Sequence, residues 1–342
     1  MADYSWQRHL IERGAYADWV DRGRQRPTHR QWSWYLREVA EKAEAEIIAA
    51  EVTGLEAAGG RWRLALEPGE ATWADGLVIT GAGPPIRVPG QPDRHPRVLD
   101  GRTYWLHEPA VSTHVAQNAC VIGSGETAAS VVISLVGKLP KRSTIDVLTS
   151  RGVLYSRGES YEENRLYSDP GDWPGLAESH RREFLVRTDR GVFSRQAEAV
   201  LNASRGFRAL AGRAVAIEAG ERQVVVQIEY GTERERVAYD LVVVAIGFQD
   251  RWFEGLLGEA ARRLLDGALS GTELERRIEP DLSVAGLSPP LHLPVAAGLA
   301  QGPGFPNLSC LGLLSDRILR RYVPLAEPGD PARLVAERSG HV

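Results

Sequence analysis

Residues 119 to 130 read ACVIGSGETAAS, an apolar run that breaks on two spaced glycines and continues into small, helix-compatible residues. Ala119 to Ile122 is expected as a short strand, Gly123-x-Gly125-x-x-Ala128 as a turn, Ala128 to Val136 as a helix and Thr144 to Leu148 as the next strand. That order is a βαβ unit, the context in which a GxGxxA sequence cradles a dinucleotide. Gly123 permits the tight turn, Gly125 lets the backbone approach a pyrophosphate, and Ala128 lets the helix sit close to the sheet. Ser124 lies between the glycines, and the Thr127 hydroxyl is placed to join the backbone N–H groups on the phosphates. A plain strand-to-helix turn is the alternative reading.

The end of the second strand selects the dinucleotide. A site for NAD carries an acid there for the ribose 2′-hydroxyl, whereas this chain reads Ser150-Arg151, and Asp146 lies inside the strand, too early for that role. A cation at Arg151 suits a 2′-phosphate, so NADPH is favoured over NADH; a solvated loop arginine is the alternative.

Two blocks of the chain resemble each other. Residues 52 to 66, VTGLEAAGGRWRLAL, and 214 to 228, AVAIEAGERQVVVQI, share a strand, a Glu-Ala-Gly-type turn and a second strand, and each is followed by a strand ending on glycine, at Gly81 to Gly83 and at Gly247. This predicts two dinucleotide-binding domains, each closing a βαβ sheet with a three-stranded meander. Only the second block is preceded by a glycine loop. Before the first stands helical, Trp-rich sequence from Tyr4 to Lys42, in which Trp6, Trp19, Trp32 and Trp34 are expected as packing residues. The first domain is therefore expected to be incomplete at its N-terminus.

Composition removes other classes. Net charge is −4, without the basic bias that binding to a nucleic-acid backbone needs. No run of some 18 apolar residues is present and the N-terminal residues carry charges where a signal peptide is apolar, so no membrane role is expected. The two cysteines, Cys120 and Cys310, sit in apolar stretches and read as packing residues in a reducing cytoplasm. The eight histidines lack metal-ligand spacing, so no metal site is expected.

Four further stretches carry a family resemblance: RPTHRQWSWYL at 26 to 36, RGESYEENRLYSDPGDW at 157 to 173, RTDRGVFS at 187 to 194 and QGPGFPNLSCLGLLSDRIL at 301 to 319. In this order around GSGETAAS they resemble the flavin-dependent N-hydroxylating monooxygenases of siderophore biosynthesis, and among these the mycobactin-type L-lysine N6-hydroxylases. The resemblance spans roughly Tyr4 to Val323. It implies an α/β flavoprotein monooxygenase with two Rossmann-like domains: a partial FAD-binding domain with a helical substrate segment at 1–96, an NADPH-binding domain at 97–250, and a return to the FAD and substrate region at 251–342. NADPH would reduce FAD, the reduced flavin would activate oxygen, and the neutral side-chain amine of L-lysine would be hydroxylated. The family begins with an FAD-binding GxGxxG segment and a substrate-contacting lysine, both of which would precede Met1. Residues 1–342 alone are accordingly expected to bind NADPH weakly, to keep little FAD and not to hydroxylate lysine.

Carried onto this sequence, the resemblance implies that Asn164 holds the α-amino and carboxylate end of the substrate, and that Ser315 lies near the amine and flavin. Thr80, Gly81, Gly83, Pro306 and Asn307 would line FAD. Asp189 departs from the asparagine usual in ornithine enzymes. Its carboxylate would attract the longer lysine ammonium, yet would also stabilise the charged amine against the neutral nucleophile; a local turn with Arg187 or Arg190 is the alternative. Ornithine or another diamine as substrate, a catalytically silent NADPH-binding module, and a homo-oligomer all remain open on the sequence.

Overall fold

The computed structural model describes residues 2–111, 117–189, 191–204, 206–265 and 273–323; Arg190 and the part of the C-terminal segment beyond Val323 lie outside the described residues. The chain divides into two compact units, Met1–Thr53 with Ala65–Thr72, and Gly54–Leu64 with Trp73–Val342.

The Trp-rich opening folds as helices α1 (Trp6–Glu12), α2 (Tyr16–Asp21) and α3 (His29–Lys42). Two of the helix starts are written in the sequence. Ser5 Oγ accepts the Arg8 N–H at 3.1 Å, and Thr28 with Gln31 forms a reciprocal capping box, so part of RPTHRQWSWYL is helix-starting chemistry. Trp32 packs on Tyr35 at 4.9 Å, and Trp6 meets Tyr35 edge-on at 5.4 Å. Trp34, expected inside, is 48% exposed with the Arg30 guanidinium 4.6 Å over its ring. The packed face of α3 follows Trp32, Tyr35 and Val39, at helical spacing, and Trp34 falls off it.

Both similar blocks fold as meanders. Strands β1 (Glu51–Ala58), β2 (Arg61–Glu67) and β3 (Ala71–Ala74) form one three-stranded sheet in that order, and the glycine-ended strand after it shrinks to β4 (Leu77–Val78). Next come β5 (Val98–Asp100), α4 (Thr103–Val111), β6 (Asn118–Ile122), α5 (Glu126–Lys138), β7 (Thr144–Thr149) and β8 (Tyr155–Arg157). Helices α6 (Tyr161–Ser168) and α7 (Glu178–Thr188) lead to β9 (Val192–Ser194), α8 (Arg195–Asn202) and β10 (Phe207–Ala211). The second meander is β11 (Arg213–Ala219), β12 (Val224–Tyr230) and β13 (Glu233–Tyr239), followed by β14 (Leu241–Val244). Helices α9 (Glu259–Leu265) and α10 (Glu273–Arg276), strand β15 (Leu291–His292), and helices α11 (Gly298–Gln301) and α12 (Leu311–Leu319) complete the described chain.

One expectation is corrected here: the glycine-ended strands are not the third strands of the meanders. β3 and β13 hold that place, while β4 and β14 leave for parallel pairings with β15 and with β5 and β6. The true third strand was hidden because ERERVAY is largely charged, as an exposed sheet edge tends to be, with Arg236 paired to Glu218 at 2.6 Å.

The centre of the second unit is a five-stranded parallel sheet in the order β10-β7-β6-β14-β5. Strand alternation gives it two cores. Ala119 and Val121 of β6 face the side where α5 buries Ala128, Val132 and Leu135, whereas Cys120 and Ile122 join Ile217, Val224 and Val226 of the meander. Asp146, directly opposite Arg208 in register and only 2% exposed, takes an ion pair from Arg208 at 2.5 Å and a hydrogen bond from the Tyr239 hydroxyl at 2.9 Å. Burial, helped by the nearby Cys120 and Asp146, pushes the Tyr239 phenol far up. Asp146 is thus committed to holding sheet and meander together. Both cysteines are free and buried, and burial pushes the Cys310 thiol up to about 11. Among the described residues no helix is long and apolar enough to cross a membrane, and no group of three His, Cys, Asp or Glu could hold a metal ion.

The C-terminal segment returns to β4 through β15, which pairs Leu291 with Leu77 and His292 with Val78. His292 is fully buried. Its Nδ1 lies 2.7 Å from the Asp281 carbonyl, which can only accept, so that nitrogen carries the proton and Nε2 accepts from the Tyr322 hydroxyl at 2.6 Å. Tyr322 fits because residue 76 is glycine: a Cβ there would fall 1.7 Å from the hydroxyl. Burial holds the His292 pKa below the ordinary histidine value. The unfolded chain therefore binds more protons as pH falls, and stability present above the ordinary value drains away on acidification until the folded imidazole also protonates. Melting temperature is expected to fall between pH 7 and pH 5, and the fall should be smaller in His292→Phe; an unchanged pH dependence in that variant contradicts the assignment.

Candidate dinucleotide site

The site is built at the carboxyl ends of β6, β7 and β14, where the parallel sheet leaves a crevice. After Ile122 the chain turns at Gly123, whose φ of +133° only glycine adopts readily, and its N–H donates to Leu148 at 2.9 Å. A Cβ on Gly123 would stand 2.2 Å from the Ala245 carbonyl oxygen, so the loop is pressed against the end of β14. Gly125 then caps α5 with extended backbone and no side-chain bond, and the helix begins at Glu126, two residues earlier than expected. The first N–H groups of α5 have no partner within the helix. A Cβ on Gly125 would meet nothing nearer than the Gly191 nitrogen at 3.8 Å, which leaves the backbone open to an approaching ligand. Ala128 is fully buried against the sheet, in the packing place its size fits.

Gly123 to Thr127 line a cleft of about 740 Å³, from which the buried Ala128 is absent. Its walls include Gly123 to Thr127, Thr149 to Arg151, Asp189, Gly191, Gly212 to Ala214 and Ala245 to Asp250, with Gly81, Ala82, Ile86 to Pro89 and Val295 on the remaining side. Thr127 lines it with its methyl turned toward Gly101, where an added Cβ would lie 2.6 Å away. Arg151 is fixed by its own N–H to Thr149 Oγ1 at 3.2 Å, by a guanidinium bond to the Val186 carbonyl at 3.1 Å and by the Tyr155 ring at 5.8 Å. The Glu126 carboxylate accepts the Ser194 N–H at 3.2 Å, tying the 191–194 segment to the start of α5.

The cleft thus gathers Gly123, Ser124, Gly125, Thr127, Arg151, Gly81 and Asp189. Asp189 ends α7 and lies beside Tyr167, whose phenol is pushed up first by burial and further by that carboxylate. Asn164, Ser315, Pro306, Asn307, Thr80 and Gly83 do not line it. Asn164 sits in α6 with its amide N–H groups on the Gly158 and Ser160 carbonyls at 3.3 and 2.9 Å. Ser315 back-bonds to Leu311 within α12 at 3.0 Å. Asn307 bridges Pro303 and Ser309 in a local turn, and Pro306 lies against Gly298. Thr80 is exposed, and Gly83 is closed over by Trp252, 2.4 Å from where a Cβ would stand.

The motifs at 157 to 173 and 301 to 319 meet across a tight seam. A Cβ on Gly304 would reach 2.0 Å from the Tyr167 carbonyl and one on Gly302 2.4 Å from Pro170, while Trp173 donates to Leu299 at 2.9 Å. Sequence reasoning missed Gly212 and Arg213 on the cleft wall; a glycine followed by arginine at a strand end was the available signal.

No protein-family model matches the chain. It is 41% identical over 331 residues to the L-lysine N6-monooxygenase MbtG of Mycobacterium sp. (strain MCS), covering 93% of this chain and 75% of that protein. Among solved structures, the lysine monooxygenase NbtG of Nocardia farcinica superposes with a TM-score of 0.72 at 38% identity, over 93% of this chain and 78% of that one. The ornithine hydroxylase PvdA of Pseudomonas aeruginosa shares the fold, with a TM-score of 0.74 at 18% identity over 93% and 81% of the two chains.

Proposed function

Because the chain belongs to the L-lysine N6-monooxygenase family, we propose that it carries out NADPH- and FAD-dependent N6-hydroxylation of L-lysine, for hydroxamate siderophore assembly of the mycobactin type. The balance is lysine, oxygen, NADPH and a proton in, N6-hydroxylysine, NADP⁺ and water out. The observation that carries this reading is the cleft itself: a glycine loop at the start of α5, open to a ligand at Gly125, with the cation Arg151 at the neighbouring strand end.

The residues present fit the nucleotide. Gly123, Ser124 and Gly125 with the first turn of α5 would hold its pyrophosphate, Thr127 and Ala128 set that turn, and Arg151 would take the 2′-phosphate. The sheet from β5 to β14 supports 97–250 as the NADPH-binding domain. FAD, when bound, supplies the two-electron relay from NADPH and the activation of oxygen. Gly81, at φ +82° with open space where a Cβ would stand, offers exposed backbone to it on the same cleft. Thr80, Gly83, Pro306 and Asn307 lie off this cleft, and their assignment to FAD rests on the family resemblance alone. Asn164, Asp189 and Ser315 are proposed for the substrate. Asn164, with its N–H groups engaged, has its carbonyl oxygen left to accept from an ammonium. The two free buried thiols favour a reducing compartment, the cytoplasm.

Titration calorimetry tests the nucleotide assignment. NADP⁺ is expected to bind at least about tenfold more tightly than NAD⁺, and Arg151→Ala to remove most of that preference. Equal affinities in the parent protein, or an intact preference in the variant, overturn it.

A further inference from the structure

Strands β7 and β10 run parallel and in register, Ala211 beside Thr149. The pairing continues one step past the strand, the Gly212 N–H donating to the Thr149 carbonyl at 2.9 Å. Two residues beyond the Ala211–Thr149 pair, each chain presents an arginine: Arg151 after β7 and Arg213 after β10. Both line the cleft.

Neither guanidinium is neutralised. Arg151 reaches only a carbonyl and an aromatic ring, and Arg213 has no side-chain partner among the described residues. Glu229, its cross-strand neighbour in the meander, is taken by Arg234 at 3.1 Å. Two cations on the wall of one cleft, neither paired with a carboxylate, suit a dianion.

We propose that Arg213 is a second specificity-determining residue for the coenzyme, and that Arg151 and Arg213 together form a two-pronged seat for a phosphate monoester, the 2′-phosphate of NADPH. The inference rests on the reading of this cleft as the NADPH site. A monoester brings close to two charges and three acceptor oxygens at neutral pH, enough for both guanidinium groups, whereas NADH offers a neutral hydroxyl there. The junction that carries Arg213 is packed: Gly212, at φ +150°, lies so close under β12 that a Cβ would stand 2.6 Å from the Ile228 side chain and 2.7 Å from the Tyr230 ring.

The test is calorimetric titration of the 342-residue chain with 2′,5′-ADP, 5′-ADP, NADP⁺ and NAD⁺, for the parent, Arg213→Ala, Arg213→Lys, Arg151→Ala and the double alanine variant. Arg213→Ala should weaken 2′,5′-ADP and NADP⁺ by about tenfold and leave 5′-ADP and NAD⁺ within about twofold. Arg213→Lys should fall between, and the double variant should show almost no preference. Unchanged 2′,5′-ADP binding in Arg213→Ala, with Arg151→Ala still impaired, overturns the second prong alone. Equal loss for all four ligands overturns it as well, because Arg213 would then serve the adenine or the pyrophosphate. No preference for 2′-phosphorylated ligands in the parent removes the underlying NADPH reading.

Discussion

Gly123→Ala is expected to destabilise the second unit and abolish dinucleotide binding, whereas Gly125→Ala should leave the fold intact and impair binding only. An added methyl at Gly123 lands 2.2 Å from a carbonyl oxygen and 2.7 Å from a carbonyl carbon of Ala245, both main-chain atoms of the strand end, at a φ that L side chains rarely adopt. Backbone strain of about 1–3 kcal/mol adds to overpacking of similar size, giving a loss of about 2–6 kcal/mol. That is a large share of a typical domain's stability, about 5–15 kcal/mol. At Gly125 the backbone is extended and the nearest neighbour of an added methyl is 3.8 Å away, so the folded chain pays little. The methyl would instead stand where a phosphate must approach, and NADP⁺ affinity should fall by about tenfold or more. Thermal melting and calorimetry on the two variants separate the cases. Equal melting temperatures for Gly123→Ala and the parent contradict the loop geometry.

The βαβ core was legible because its signals are local. A short apolar run ending on glycine marked β6, the next apolar stretch after the helix marked β7, and the roles of Gly123 and Ala128 follow from where the chain can turn and pack. The start of α5 was read two residues late because Glu126 and Thr127 are polar and add nothing to the apolar pattern, although the backbone already turns helical there. β10 and β13 were not legible: FRALA becomes a strand by pairing with β7, far back along the chain, while ERERVAY is a charged edge held by its hairpin partner β12.

The site divides the same way. The glycine loop and Arg151 belong to one βαβ unit and were found together. Arg213 reaches the cleft only because β10 lies beside β7 in a particular register, and register between strands some 60 residues apart is set by tertiary packing. Asp189 was assigned to the substrate through the resemblance, and its place on the nucleotide cleft comes from the length of α7 and the turn after it. The motifs shared with the family owe part of their character to packing. Gly302 and Gly304 are glycines because Pro170 and the Tyr167 carbonyl leave no room for more.

The second large effect concerns the substrate. Lysine and ornithine differ by one methylene, and a site shaped to one discriminates against the other by about 10–200-fold, the value of a methylene in a fitted pocket. In its proposed substrate role, the Asp189 carboxylate would favour an amine that can reach it, while hydroxylation needs that amine neutral. Selectivity should therefore appear in kcat/KM, and kcat/KM for lysine should itself rise with pH as the amine loses its proton. A turnover assay with FAD, NADPH and oxygen offers the most direct measurement: the mass of the product formed from lysine and from ornithine, each quantified against NADPH consumed. The account predicts N6-hydroxylysine as the product, with lysine preferred by about tenfold or more. Equal or better hydroxylation of ornithine, or NADPH consumption without any hydroxylated amine from lysine, would contradict it.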